Sequence, residues 1–178
     1  YGGIKEIVFN PDESVIVNEV TVENKARRSF GSNILLFYTD ITRKSATILI
    51  TQKQNTKENF ETLVQMRDSV YRFKEKLESN DNYDDLGKML DETWIMKKKL
   101  AKKITNQSIE DMYNLALTNG AIGGKIAGAG GGGFLMLYVP RERQQRVRKA
   151  LREYREFPFM LEPFGSRIIF NSIRGYWK

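Results

Sequence analysis

Glycine is concentrated in one short segment of this chain. Eight of its fourteen glycines lie within residues 120–133, directly before the apolar run of residues 134–139. Each glycine loses more backbone entropy on folding than any other residue, so a cluster of this density needs a reason. Backbone N–H groups that must approach a phosphate closely provide one, and Lys125 adds a positive charge. The segment therefore predicts a phosphate-binding loop; a tight helix-to-strand connection is the simpler alternative.

The flanking sequence excludes the common phosphate-binding motifs. Residues 128–133 fit the G-x-G-x-x-G pattern, but dinucleotide folds place a strand before this motif and a helix after it. Here residues 108–117 have helical spacing, and the apolar run that Pro140 ends predicts a buried strand. A Walker loop requires Ser or Thr after Gly-Lys, whereas Ile126 follows Lys125. A protein kinase would need His-Arg-Asp and Asp-Phe-Gly motifs, which this sequence lacks.

The rest of the chain predicts long helices beside a small antiparallel sheet, which is an α+β two-layer fold. Residues 23–32 are charged and contain a glycine, so we expect a linker there. The predicted strands are residues 4–9, 14–22, 34–39, 134–139, 157–161 and 167–170. The predicted helices begin near Thr42 or Ser45, at Thr56, after residues 79–81, at Ser108, and near Arg141. The helix that Thr56 caps would carry an apolar stripe made of Phe60, Leu63, Val64, Val70, Tyr71 and Leu77.

Composition removes several classes of function. The chain has no cysteine and no histidine, which excludes disulfides, histidine-based zinc sites and catalysis by serine–histidine or cysteine–histidine pairs. No apolar run approaches the roughly 18–20 residues that a membrane-spanning helix needs. We therefore expect a cytoplasmic protein with no membrane partner.

Two basic segments carry much of the net charge of +7. Residues 141–155 place Val147, Leu151 and Tyr154 on one helix face, so the basic side chains would cover the solvent face. Binding to nucleic acid is the alternative, but no nucleic-acid motif supports it. Lysines 97–99, 102 and 103 end a predicted helix, where cations suit the helix dipole; attraction of a phosphorylated ligand is their second interpretation.

The glycine segment and its surroundings resemble a known family. Residues 125–134 (KIAGAGGGGF) are similar to the third motif of the GHMP small-molecule kinases, which lies in their C-terminal domain between a helix and a strand. Residues 91–98 (DETWIMKK) and 38–46 (YTDITRKSA) resemble the sugar branch, which includes the heptose 7-phosphate kinases and the fucokinases. The resemblance covers most of residues 1–172.

This resemblance implies phosphoryl transfer from ATP and Mg²⁺ to a hydroxyl of a sugar or sugar phosphate, with heptose 7-phosphate as the expected substrate. It implies a phosphate and substrate loop made of Lys125, Gly128, Ala129, Gly130, Gly131, Gly132 and Gly133. Arg43 and Ser45 lie where a strand meets a helix N-terminus, so they are candidate substrate-side residues, with helix capping as the alternative. Trp94 is interpreted as a core residue rather than a sugar-stacking ring, and Asp91 and Glu92 as surface residues rather than an acid–base pair.

The family's first-half motifs are missing from this sequence. No Pro-x-x-x-Gly-x-Gly-Ser-Ser loop is present, and residues 1–4 resemble the segment just after the family's catalytic Asp. We therefore expect a C-terminal fragment with no catalytic residue of its own and no firmly bound cofactor. Residues 1–29 would be strands and a linker left from the N-terminal kinase domain, and residues 30–178 the GHMP C-terminal domain. Strands within residues 4–22 would lack their partners, so they would be poorly ordered or pair with another chain, which would make a homo-oligomer.

Two other functions remain open at this point. One is a non-catalytic basic α+β module that binds nucleic acid or a phosphorylated metabolite. The other is a family member that has lost catalysis and acts as a sensor.

Overall fold

The computed structural model describes residues 1–43, 45–79 and 82–170. They form two compact units: the first contains Tyr1–Thr21 and the chain from Leu161 onward, and the second contains Val22–Met160. Six helices and five strands lie in the described part. They are β1 Lys5–Phe9, β2 Val15–Glu19, α1 Asn24–Ser32, β3 Ile34–Tyr38, α2 Ser45–Gln54, α3 Phe60–Glu78, α4 Asp84–Lys99, α5 Gln107–Thr118, β4 Gly123–Ile126, β5 Phe134–Tyr138 and α6 Gln144–Ala150, the last preceded by a 3₁₀ turn at Arg141–Arg143.

The first unit contains the predicted hairpin. Strands β1 and β2 pair antiparallel with Ile7 opposite Val17, and the turn between them is held by Ser14, whose N–H and hydroxyl both donate to the Asp12 carboxylate at 3.0 and 2.6 Å. Several apolar side chains of the hairpin are exposed, among them Phe9 at 77%. Association through residues 4–22 stays a prediction.

The second unit is a three-stranded antiparallel sheet with helices, in the order β3-β5-β4. Because side chains alternate along a strand, Leu35 and Phe37 of β3 share one face with Leu135 and Leu137 of β5. All four are buried. They belong to one core with residues of helices α4, α5 and α6, including Trp94, Ile109, Met112 and Val147. The predicted α+β fold is confirmed. No helix in the described ranges is long and apolar enough to cross a membrane.

The predicted linker at residues 23–32 is wrong. This segment forms α1, which buries Ala26 and Phe30 at helical spacing. The Phe30 ring packs against Phe73 and Tyr138, with ring centres 6.2 and 6.1 Å away. The charged residues that suggested a linker occupy the solvent side of a short amphipathic helix.

Helix α3 also differs from its prediction. Thr56 does not cap it; its hydroxyl donates to the Gln52 carbonyl, and the helix begins at Phe60. Phe60, Val70 and Tyr71 are exposed, and the buried positions of α3 are Ser69 and Leu77. The predicted apolar stripe is therefore correct at Leu77, which is buried, and at Leu63, which packs against the core, and wrong at the three exposed positions.

The predicted C-terminal strands are also wrong. Residues 157–170 contain no strand, and a single bridge joins Glu156 to Phe37. Pro158 and Pro163 explain this in part, because proline has no N–H to donate to a sheet.

The glycine cluster divides into two parts, which the sequence prediction did not separate. Gly120, with φ of 117°, follows the end of α5 as predicted. Gly123 and Gly124 lie in strand β4, where a Cβ on Gly123 would come within 2.1 Å of the Gly87 carbonyl oxygen on α4. These two glycines let a helix and a strand approach closely. The remaining glycines, with Ala127 and Ala129, form the glycine loop, residues 127–133.

Replacing a packing glycine should therefore cost more than replacing an exposed loop glycine. We expect Gly123→Ala to lower the free energy of unfolding by about 3 kcal/mol, because the new methyl group overlaps backbone. Gly128→Ala should lower it by about 1 kcal/mol, since Gly128 has a positive φ of 77° but open space around its Cβ position. Urea titration of both variants measures the difference, and equal losses would contradict this division.

Candidate phosphate and substrate cleft

The glycine loop is fixed at several points by hydrogen bonds. The Gly131 N–H donates to the Ile104 carbonyl at 2.6 Å, and the Gly133 N–H donates to the Ile41 carbonyl at 2.8 Å. The Gly133 carbonyl accepts from both the N–H and the hydroxyl of Thr39, each at 2.9 Å. These bonds join the loop to the end of β3 and to the segment between α4 and α5, so its conformation is set before any ligand arrives.

The same loop has N–H groups without a hydrogen-bond partner in the part of the chain that the structure describes. Across residues 1–43, 45–79 and 82–170, no hydrogen bond involves the N–H of Gly128, Ala129, Gly130 or Gly132. Several loop residues have positive φ, such as 101° at Gly130, a conformation in which successive N–H groups can converge on an anion. The loop therefore offers a set of free donors.

These donors border a cleft of about 360 Å³. One wall consists of loop residues, and the other comes from the end of β3 and the start of α2. The structure thus brings Arg43 and Ser45 to the same cleft as the glycine loop, although they are more than 80 residues away in sequence. Its lining is Tyr38, Ile41, Thr42, Arg43, Ser45, Ala127, Gly128, Ala129, Gly130, Gly132 and Gly133.

Two residues of the predicted loop do not line this cleft. Gly131 is buried, and its Cβ position lies 2.6 Å from Ile48 Cδ1 and 2.9 Å from the Lys103 carbonyl, so it serves packing. Lys125 lies in strand β4 opposite Met136. By strand alternation, Lys125 points to the face of the sheet on which Tyr38 lies.

Lys97 is a functional candidate that the sequence analysis did not single out. Its ammonium on α4 donates to the Gly128 carbonyl of the glycine loop. Burial, and next the charge of Lys125, lower the pKa of Lys97 to about 8, and burial also lowers the pKa of Lys125. The spacing in the sequence indicates this position. Lys97 follows buried Leu90 and Trp94 by seven and three residues, so it shares their helix face.

The adjacent lysine has a different role. Lys98 Nζ lies 2.9 Å from a carboxylate oxygen of Glu110, whose other oxygen accepts from the Thr105 hydroxyl at 2.6 Å. This network joins α4 to α5 and is structural. Trp94 is fully buried, so its interpretation as a core residue is confirmed.

Acid–base candidates are scarce around the cleft. Asp91 accepts the Tyr113 hydroxyl at 2.6 Å, which joins α4 to α5, while Glu92 is exposed. Burial first, and then the bond to Asp91, raise the pKa of Tyr113. Within the described residues, no three acidic side chains come together as a metal site would require.

The basic segment 141–155 makes internal contacts. Arg148 forms a forked ion pair with Glu156, with three N–O distances of 2.8 to 3.1 Å. Arg146 donates to the Thr118 carbonyl, and Arg141 donates to the Ser32 hydroxyl. Val147 and Leu151 are fully buried beneath them. These contacts favour the interpretation as a surface helix over a nucleic-acid face.

Comparison with known proteins places part of this chain in a family. Residues 70–156 match the family model described as GHMP kinases C terminal. These residues form a GHMP kinase C-terminal domain. D-glycero-alpha-D-manno-heptose 7-phosphate kinase of Campylobacter jejuni is 30% identical over 155 residues, which cover 86% of this chain and 45% of the relative. The chain thus spans slightly less than half the length of that curated relative.

Solved structures of GHMP kinases share the fold. The L. major mevalonate kinase complex with R-mevalonate superposes with a TM-score of 0.67 at 17% identity, covering 86% of this chain and 45% of that one. A D-glycero-D-manno-heptose 1-phosphate kinase from Bacteroides thetaiotaomicron gives a TM-score of 0.64 at 24% identity, covering 92% and 44%.

The lowered pKa of Lys97 predicts a pH-dependent stability. In the unfolded chain this lysine has its ordinary value of 10.5, so between about pH 8 and 10.5 the unfolded state binds more protons and stability rises with pH. Lys97→Met removes this pH-dependent contribution to the free energy of unfolding. The variant's stability relative to the parent should therefore be more favourable at pH 7 than at pH 10, by on the order of 1 kcal/mol after solvent screening.

Thermal melts at both pH values measure this difference. Lys99→Met is the control, because Lys99 is exposed on the same helix. The prediction is wrong if Lys97→Met and Lys99→Met respond to pH in the same way.

Proposed function

We propose that this chain is the C-terminal part of an ATP-dependent sugar kinase that acts on heptose 7-phosphate. The cleft carries this proposal, because loop residues with free N–H groups line the same space as Arg43 and Ser45. Such donors suit a phosphate group. The relatives suggest the chemical class of the substrate, since the curated relative is named as a heptose 7-phosphate kinase.

The residues present fit the phosphates of ATP better than its metal ion. N–H groups and a guanidinium bind phosphate oxygens, whereas Mg²⁺ prefers carboxylate and phosphate oxygens. No carboxylate among the described residues lines the cleft. When bound, ATP supplies the phosphoryl group, and this chain's residues hold and orient it. Phosphoryl transfer depends mainly on such positioning and on stabilisation of charge.

Within residues 1–43, 45–79 and 82–170, the cleft also lacks a proton acceptor for the sugar hydroxyl. Its described lining contains Tyr38, Ser45 and Arg43 but no acidic side chain, and the chain has no histidine. We infer that the base and the principal nucleotide cradle come from an N-terminal kinase domain that this sequence does not include. Of the predicted remnant at residues 1–29, the part up to residue 21 would then belong to that domain, because α1 lies in the second unit.

This inference predicts that the 178-residue chain alone does not turn over. Incubation with ATP, Mg²⁺ and D-glycero-D-manno-heptose 7-phosphate should yield no ADP above background, whereas the native gene product should phosphorylate the sugar. Intact mass of the native product is the companion measurement. A native protein of 178 residues, or turnover by this chain alone, would contradict the proposal.

Arg43 provides a test of the cleft itself. In the native gene product, Arg43→Met should lower kcat/KM at least tenfold, because one charge-assisted contact to a phosphate is worth about 1.5–3 kcal/mol. Lys53→Met is the matched control, since Lys53 is an exposed cation on α2, the helix that follows Arg43, and lies outside the cleft lining. Equal kcat/KM values for the two variants would exclude Arg43 from the site.

A further inference from the structure

Two lysines lie on the packed elements α4 and β4 where the glycine loop leaves strand β4. Lys125 is the third residue of β4, and Lys97 reaches from the last turn of α4 to the Gly128 carbonyl. Both are partly buried, and the charge of Lys125 contributes, after burial, to the lowered pKa of Lys97. The fold thus holds two like charges together at one edge of the glycine loop.

Protein carboxylates do not neutralise this pair. Among the described residues, neither Lys97 nor Lys125 forms a salt bridge. Lys98, the next residue of the same helix, is paired with Glu110 of α5, so the fold supplies an acidic partner to the lysine that joins the two helices. Two partly desolvated like charges repel each other, and a bound anion would relieve that repulsion.

The pair also adjoins the cleft. Gly128, whose carbonyl accepts from Lys97, is itself a lining residue of the cleft. Lys125 lies on the same face of the sheet as Tyr38, another lining residue. A ligand in the cleft that carries a second anionic group would find these two cations beside the loop.

We propose that Lys97 and Lys125 form a subsite for a phosphate monoester, namely the phosphate that a phosphorylated sugar substrate already carries. This rests on the kinase function proposed above, and it separates two anion sites. The loop N–H groups and Arg43 hold the group that is transferred, while the lysine pair holds the one that stays on the sugar. A dianion matches two ammonium groups in charge, and charge-assisted hydrogen bonds to phosphate are among the strong ones.

Binding to the 178-residue chain tests the subsite without requiring turnover. Calorimetry would compare D-glycero-D-manno-heptose 7-phosphate, the unphosphorylated heptose and ADP on the parent chain and on Lys97→Met, Lys125→Met and Lys99→Met. We expect each of the first two substitutions to weaken heptose 7-phosphate binding about tenfold or more. Affinity for ADP should stay within about twofold, Lys99→Met should behave like the parent, and Lys97→Arg should retain most of the affinity.

Two binding results would overturn the subsite. One is unchanged heptose 7-phosphate affinity in both Lys97→Met and Lys125→Met, with native melting curves. The other is a loss of ADP affinity in place of heptose 7-phosphate affinity, which would assign the pair to the nucleotide. If either variant fails to fold, the other and Lys97→Arg still decide the question.

Kinetics of the native gene product separate this inference from the proposed function. Lys97→Met should raise KM for heptose 7-phosphate about tenfold and leave KM for ATP nearly unchanged. An unchanged KM for the sugar would contradict the subsite even in an active kinase. Absence of turnover, together with lysine-dependent binding of heptose 7-phosphate, would contradict the kinase and support the subsite.

Discussion

The close approach of helix α4 to strand β4 is the contact on which the surroundings of the glycine loop depend. It is made possible by Gly123, since a side chain there would overlap the Gly87 carbonyl and Asp91. With the helix this close, Trp94 enters the core and Lys97, one turn later, reaches the loop at Gly128. A wider separation would remove Lys97 from the loop.

The glycine loop combines a fixed backbone with free donors, and different glycines provide the two properties. Gly131 and Gly133 are bonded to Ile104 and Ile41, which holds the loop against the ends of neighbouring elements. Gly128, Gly130 and Gly132 line the cleft with N–H groups that have no partner in the described part of the chain. A site whose donors are already in place needs little reorganisation when charge develops on a transferred group.

The sequence predicted the elements with strong local signals. The helix before the glycines, its stop at Asn119-Gly120 and the apolar strand after them all follow from spacing and from the freedom of glycine. Strand β4 was missed because two of its four residues are glycines, which carry no β-propensity; pairing with β5 makes it a strand. Lys97 was grouped with its neighbours because a run of lysines looks uniform in sequence, and only packing distinguishes Lys97 from Lys98. The meeting of Arg43 with the loop is a long-range contact that no local pattern encodes.

The claim that the glycine loop binds phosphate can be tested at single residues. In the chain labelled with ¹⁵N-glycine, titration with inorganic phosphate should shift the amide resonances of Gly128, Gly130 and Gly132. The resonances of Gly123 and Gly124, which lie in the paired strand β4, should stay in place. Shifts of equal size at all five glycines, or no shift at the three loop positions at saturating phosphate, would contradict a phosphate site in this loop.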